Sequence, residues 1–269
     1  MSKTIIIAEI GENHLGDINL AKKMIYKAAE SGANIVKFQS YLGSDFKGDD
    51  PEKEWFTRVE LSNENHFELK NLADQSNIEF LSSPFSLERA RFLCEELKLN
   101  KIKIASGMMM NFSVLDYINS SDTETVFLST GMATLDEISE ALKRLRNISN
   151  IYLLHCVTQY PCREEEVNLK AILTLQRRFN LPVGYSDHTL SIDACLAAVA
   201  IGAVVIEKHF TLDKNCQEGT DHILSATPDE LTKMVETIHR IEVMLGDDVK
   251  QPSSGENKII DFVRTRFPN

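Results

Sequence analysis

The sequence predicts an α/β fold, a single (β/α)8 TIM barrel in which eight parallel strands alternate with eight helices. Three observations point there. The chain has 269 residues, the size of one such barrel. Eight short apolar runs recur along it, nearly continuous in hydrophobicity and rich in β-branched residues, as strands covered on both faces must be. Segments with apolar residues three and four apart lie between those runs. An open doubly wound sheet is the runner-up. It usually carries GxGxxG after its first strand, whereas the first turn here reads "EIGENHLGD".

In chain order the strand runs are "TIIIAEIG" (4–11), "ANIVKFQS" (33–40), "IEFLSS" (78–83), "KIKIAS" (101–106), "TVFLST" (125–130), "IYLLHC" (151–156), "LPVGYS" (181–186) and "AVVIEKHF" (203–210). The helical segments include "NLAKKMIYKAAESG", closed by Gly32 as its C-terminal stop, "SLERARFLCEELKL", "TLDEISEALKRL", "SIDACLAAVAIG" and "TPDELTKMVETIHRIEVML". Thr134, Ser191 and Thr227 read as N-caps, and Thr134 with Glu137 and Thr227 with Glu230 fit the capping box. After the second strand, residues 41–62 form a long excursion rich in Asp and Lys that holds the single Trp, Trp55. A loop of that length reads either as a lid or as a solvated surface loop. The barrel is expected to fill 1–250, with 251–269 a short tail.

Composition narrows the function. Hydrophobic residues make up 43% and charged residues 26%, which excludes a disordered or fibrous chain. A net charge of −11 argues against a nucleic-acid partner, yet a local lysine cluster can still hold a small anion. The five cysteines, Cys94, Cys156, Cys162, Cys195 and Cys216, are odd in number and form no CxxC, as expected of reduced thiols in a cytoplasm. The N-terminal "MSKTIIIAEIGE" is too short and acidic for a signal peptide. No run reaches the ~20 apolar residues of a membrane span.

Barrel active sites gather at the C-terminal ends of the strands. Here every strand ends on polar residues: Glu9 then Glu12, Asn13 and His14; Lys37 and Gln39; Ser82 and Ser83; Lys103 and Ser106; Ser129 and Thr130; His155 then Thr158 and Tyr160; Ser186, Asp187 and His188; Glu207, Lys208 and His209. Charge in a buried strand is costly unless paired, so the coincidence favours a polar pocket at one mouth. Lys37 and Lys103 with several hydroxyls suit a phosphate and a carboxylate. His188 and His209 suit a divalent metal that also binds substrate and water. Alternation puts Lys208 opposite His209, toward the helices, and Glu207 on the same face as His209. Asp221 reads as a group near substrate or metal, and His222 as a surface loop residue.

Taken together, "IAEIGENHLGD", "AAESGANIVKFQ", "FLSSPFS", "KIKIASG", "LSTGMAT", "LLHCVTQYP", "GYSDHTLS", "GAVVIEKHFTLD" and "GTDH" resemble, in order, the N-acetylneuraminate (sialic acid) synthase family. The resemblance implies a barrel enzyme that condenses phosphoenolpyruvate with an open-chain N-acyl amino sugar, such as N-acetylmannosamine or a 2,4-diacetamido sugar. The product is a nine-carbon 2-keto sugar acid, and phosphate is released. It implies Mn2+, or another divalent cation such as Mg2+ or Co2+, with His188 and His209 as ligands. Lys37, Ser83, Lys103, Ser106, Ser129, Thr158 and Ser186 match positions that hold phosphoenolpyruvate. Glu9, Tyr160 and Asp221 match positions near the sugar and the reacting centre. The family also implies a possible homodimer. Two features depart from it: Met108 stands where the family commonly has an acid, and "PSSGENK" resembles the linker to an antifreeze-like domain that the sequence does not contain. Two other readings stay open at this point: a Schiff-base aldolase using Lys103 or Lys208, and a non-catalytic barrel that binds a sugar or a partner.

Overall fold

Parallel strands must be covered on both faces, and each apolar run is followed by a helix that covers it. The computed structural model describes residues 4–216 and 221–267. Its elements run β1 (Ile5–Gly11), α1 (Ile18–Glu30), β2 (Ile35–Ser40), α2 (Lys53–Val59), α3 (Asn63–Gln75), β3 (Glu79–Pro84), α4 (Leu87–Arg91), β4 (Lys101–Ile104) and α5 (Phe112–Ser120). They continue β5 (Thr125–Ser129), α6 (Leu135–Arg144), β6 (Asn150–His155), α7 (Ala171–Phe179), β7 (Val183–Asp187), α8 (Asp193–Ala200), β8 (Val205–His209), α9 (Pro228–Leu245) and α10 (Ile260–Arg264). The strands form one sheet in the order β3-β2-β1-β8-β7-β6-β5-β4, parallel in every ladder. β3 and β4 also lie side by side, so the sheet is a nearly closed barrel. The (β/α)8 expectation is met.

Two apolar layers hold it. The large one lies between strands and helices and includes Ile6, Phe38, Ile102, Val126 and Met234, all buried. The small one plugs the barrel interior with Ile7, Ile35, Leu81, Phe127, Leu154 and Val205. These plug residues sit two positions, or a few more, before the polar strand ends, so the plug forms the floor beneath them.

The helix signals are met with one exception. Thr134 and Thr227 each accept a hydrogen bond from the residue-three amide of their capping boxes, Glu137 and Glu230. Gly32 follows α1 at φ +86°, where a Cβ would be strained. Ser191 is not the cap of α8. The cap is Ile192, and the Ser191 hydroxyl accepts from Asp193 one position further on. Residues 251–259 carry only a 3-10 turn, Glu256–Lys258, before α10, and this segment is largely exposed.

Candidate active site

Period two sorts each polar strand end into one residue facing the barrel axis and one facing the helices. Glu9, Lys37, Ser83, Lys103, Ser129, Ser186, Glu207 and His209 share the inward face, and together they line a cavity of about 750 Å3 above the plug. The loops that follow the strands add Ser106, Thr158, Tyr160, His188 and Asp221 to its wall. All twelve residues selected from the sequence therefore line one cavity, and Glu207 joins them there.

The floor is a buried charge array. Lys37 Nζ lies 2.7 Å from Glu9 Oε2 and 3.7 Å from Glu207 Oε2, and Lys103 Nζ lies 3.4 Å from Glu207 Oε1. Lys103 also donates to Ser129 Oγ at 2.7 Å, Lys37 to Ser83 Oγ at 3.3 Å, and Ser186 to Glu207 Oε1 at 2.8 Å. Burial alone would push the Glu207 carboxyl up, but Lys103 and Lys37 outweigh it and hold it down at about 2. Burial likewise works to lower Lys37, and Glu207 and Glu9 overcome it to leave the ammonium above its ordinary value. For Lys103 burial wins over Glu207, so its ammonium sits low. Glu9 is raised: burial dominates, with Lys37 opposing it. The floor thus holds two carboxyls whose proton affinities are pushed apart, Glu207 down by the lysines and Glu9 up by burial.

One side of the wall is built of imidazole and phenol. His188 and His209 have ring centroids 5.4 Å apart, and the Tyr160 ring lies 4.1 Å from that of His188. The Val157 carbonyl can only accept, so His188 donates from Nδ1 to it at 2.7 Å and keeps a lone pair on Nε2. His209 Nδ1 is buried without a hydrogen bond, with Asp221 Oδ2 3.4 Å away. Burial holds both rings below their ordinary range, His209 further depressed by His188, which favours the neutral form that can bind a metal. That donor set fits a divalent ion that takes its other ligands from substrate and water. Among the described residues no cluster of three His, Cys, Asp or Glu completes a protein-only site.

The 41–62 excursion closes over the mouth. It carries α2, whose Phe56 stacks on Phe46 with centroids 4.3 Å apart, and both rings pack around Tyr41. Phe46, Glu52, Trp55 and Phe56 all line the cavity, and the Trp55 indole donates to the Glu12 carboxyl. Burial raises Glu12 to about 7, with the Trp55 hydrogen bond opposing and Asp221 and Glu52 adding to the rise. The lid alternative is the one that the structure supports.

Other polar residues read from the sequence face away from the cavity. Lys208 Nζ bonds to Asp187 Oδ2 at 2.6 Å and to the Thr189 carbonyl at 2.5 Å, behind the barrel wall. Asp187 also accepts from the Tyr185 hydroxyl and the Thr189 amide. Ser82 donates to the Phe38 carbonyl, and His155 Nε2 pairs with the Val167 carbonyl. His222 is not a surface loop residue. It is 4% exposed and its Nδ1 pairs with Thr211 Oγ1 at 2.7 Å. Gly219 and Thr220 of the "GTDH" segment lie outside the described residues. Met108 is buried in the apolar layer and does not line the cavity. Sequence reading did not assign Glu12, Phe46, Trp55, Cys156 or Met132 to the site, although all five line it. For Glu12 the signal was its place at the polar end of the first strand, and for Phe46 and Trp55 it was the length of the excursion and the lone Trp.

With this geometry, the NeuB family profile matches residues 24–250. The chain is 46% identical to the N,N'-diacetyllegionaminic acid synthase of Campylobacter jejuni, over 98% of this chain and 84% of that one. It is 35% identical to human N-acetylneuraminate-9-phosphate synthase, over 91% of this chain and 72% of that one. Among solved structures, the N-acetylneuraminic acid (sialic acid) synthetase of Leptospira borgpetersenii serovar Hardjo-bovis, in complex with citrate, superposes with a TM-score of 0.92 at 37% identity. That match covers 98% of this chain and 92% of the other.

Proposed function

The chain belongs to the NeuB family, and from that premise we propose that it condenses phosphoenolpyruvate with an open-chain N-acyl amino sugar to give a nine-carbon 2-keto sugar acid and phosphate. One observation carries the proposal: a single cavity with two buried lysines and a set of hydroxyls at its floor, and imidazoles, carboxyls and aromatic rings at its mouth. The floor suits a small dianion and the mouth suits a sugar.

In this scheme Lys37 and Lys103 take the carboxylate and phosphate of the enol phosphate. Ser83, Ser106, Ser129, Thr158 and Ser186 donate hydrogen bonds that fix its orientation. C3 of the enol phosphate attacks the aldehyde carbon. A C–C bond forms, the aldehyde oxygen gains a proton, and positive character develops at C2. Water adds to C2 and gives up a proton. The C2–O bond to phosphate of the resulting tetrahedral centre then breaks as the C2 hydroxyl gives up its proton, forming the 2-keto group and releasing inorganic phosphate, whose charge the lysines stabilise. Glu9, buried with its proton affinity raised, is placed to move the proton. Tyr160 and Asp221 orient the sugar. A divalent cation held by His188 and His209 (Mn2+, or Mg2+ or Co2+) would supply Lewis acidity toward the aldehyde oxygen. Five cysteines with no disulfide among the described residues, together with the phosphoenolpyruvate substrate, support a cytoplasmic setting. No helix of the described residues is long and apolar enough to cross a membrane.

The low-lying Lys103 ammonium favours one competing chemistry, a Schiff base on that residue. Lys208, bound to Asp187 behind the wall, is out of reach of the cavity. The test is phosphate release from phosphoenolpyruvate with N-acetylmannosamine and 2,4-diacetamido sugars, with Mn2+ and after chelation. Release that tracks both sugar and metal is expected. Release by no amino sugar, or covalent trapping of substrate on Lys103 by borohydride, would overturn the condensation.

A further inference from the structure

Resting on that condensation, we propose that Glu12, held by the Trp55 indole, is the specificity-determining contact for the acceptor. The lid end of the cavity would then take an uncharged acylamido sugar and reject a sugar phosphate. The cavity has two chemically different ends. Its only lining cations among the described residues are Lys37 and Lys103, and both are committed at the floor to Glu9, Glu207 and hydroxyls. The mouth presents three carboxyls, Glu12, Glu52 and Asp221.

The lid also carries the cations Lys53 and Arg58. Lys53 Nζ donates to the Phe46 carbonyl at 3.2 Å, and the Arg58 guanidinium lies 4.6 Å from the Trp55 ring centroid; neither residue lines the cavity. A phosphate seated at this end would lose its water to a wall that, among the described residues, offers no lysine or arginine and three carboxyls. A neutral sugar meets the opposite conditions. Trp55 satisfies one Glu12 oxygen, Oε2, and fixes the side chain, while Oε1 has no hydrogen bond to another described residue. It is a free acceptor for an amide N–H or a hydroxyl. The stacked Phe46–Phe56 pair beside it gives an acyl methyl an apolar surface.

The experiment measures calorimetric binding of N-acetylmannosamine, a 2,4-diacetamido sugar and N-acetylmannosamine 6-phosphate to wild type, Glu12→Gln and Trp55→Phe. Turnover of each sugar by wild type with phosphoenolpyruvate and Mn2+ is measured alongside. Wild type is expected to bind the better neutral sugar at least about tenfold tighter than the phosphate. Glu12→Gln should weaken the neutral sugar roughly tenfold and narrow the gap to the phosphate, and Trp55→Phe should act the same way to a smaller degree. KM for phosphoenolpyruvate should stay put in both. Melting curves confirm folding, and if one variant fails to fold the other decides. Phosphate binding equal to or tighter than the neutral sugar, or neutral-sugar affinity unchanged in both variants, overturns the proposal. Wild-type turnover with unchanged variant affinity would do so while leaving the condensation standing. Sugar binding with the expected ratios but no phosphate release would remove the condensation and keep the subsite.

Discussion

Glu12 and Glu207 show how little residue type alone decides. Both are glutamates on the same cavity, yet two buried lysines hold one low, and burial beside other acids raises the other. The raised carboxyl has a consequence for stability. In the folded protein Glu12 binds its proton up to about pH 7, whereas its ordinary value is 4.5. Between those values the folded state holds more protons than the unfolded one, so stability falls as pH rises through that window and is constant above it. The full cost, present above pH 7, is on the order of 3 kcal/mol. Glu12→Gln removes the charge and keeps an acceptor for Trp55. It should therefore unfold at higher denaturant than wild type at pH 8, with the two curves converging near pH 4.5. A gap that does not close at acid pH would assign the effect to packing instead. None of this was legible in "EIGENHLGD": the sequence shows that Glu12 follows a strand, but not that a loop 43 residues later brings an indole to it.

The lid is the element whose existence could be read and whose form could not. Its length and its Trp marked it, but α2 is a seven-residue helix with no side-chain N-cap. So short a helix is not stable by local propensity. Tyr41, Phe46 and Phe56 hold it against the mouth by packing, and that information lies in no single window of sequence. Gly43 is where the lid leans hardest on itself. A Cβ there would stand 2.1 Å from Thr57 Oγ1 and 2.9 Å from the Thr57 Cα. The second contact is backbone, so α2 itself must move. Gly43→Ala is expected to weaken acceptor binding several-fold and to speed proteolytic cutting within 41–62. The thermal unfolding of the barrel should hardly change, because Leu61 is the only residue of 41–62 that belongs to either apolar layer. Loss of phosphoenolpyruvate affinity in the same variant would mean that the floor and the lid are one unit.

Across the whole molecule, the barrel was legible because burial on both faces leaves eight continuous apolar runs, and because inward residues alternate with outward ones. The alternation also exposes what the runs conceal: a strand end with two polar residues serves two different structures, and a shift of one position exchanges them. Lys208 and His209 are adjacent, and both are buried. Lys208 points outward to close a network with Asp187 and Thr189 that ties β7 and β8 to the start of the α8 segment, while His209 points inward with His188. Their substitutions should therefore fail in opposite ways. Lys208→Met leaves Asp187 buried without its cation and should cost about 3–5 kcal/mol in chemical denaturation. The molecules that remain folded should still bind Mn2+ and turn over. His209→Ala removes an imidazole with an unsatisfied ring nitrogen, so the fold should hold to within about 1–2 kcal/mol. Calorimetric Mn2+ binding and metal-dependent turnover should both disappear. If Lys208→Met lost metal binding at full stability, or His209→Ala kept it, the assignment of the two faces of the barrel wall would be wrong.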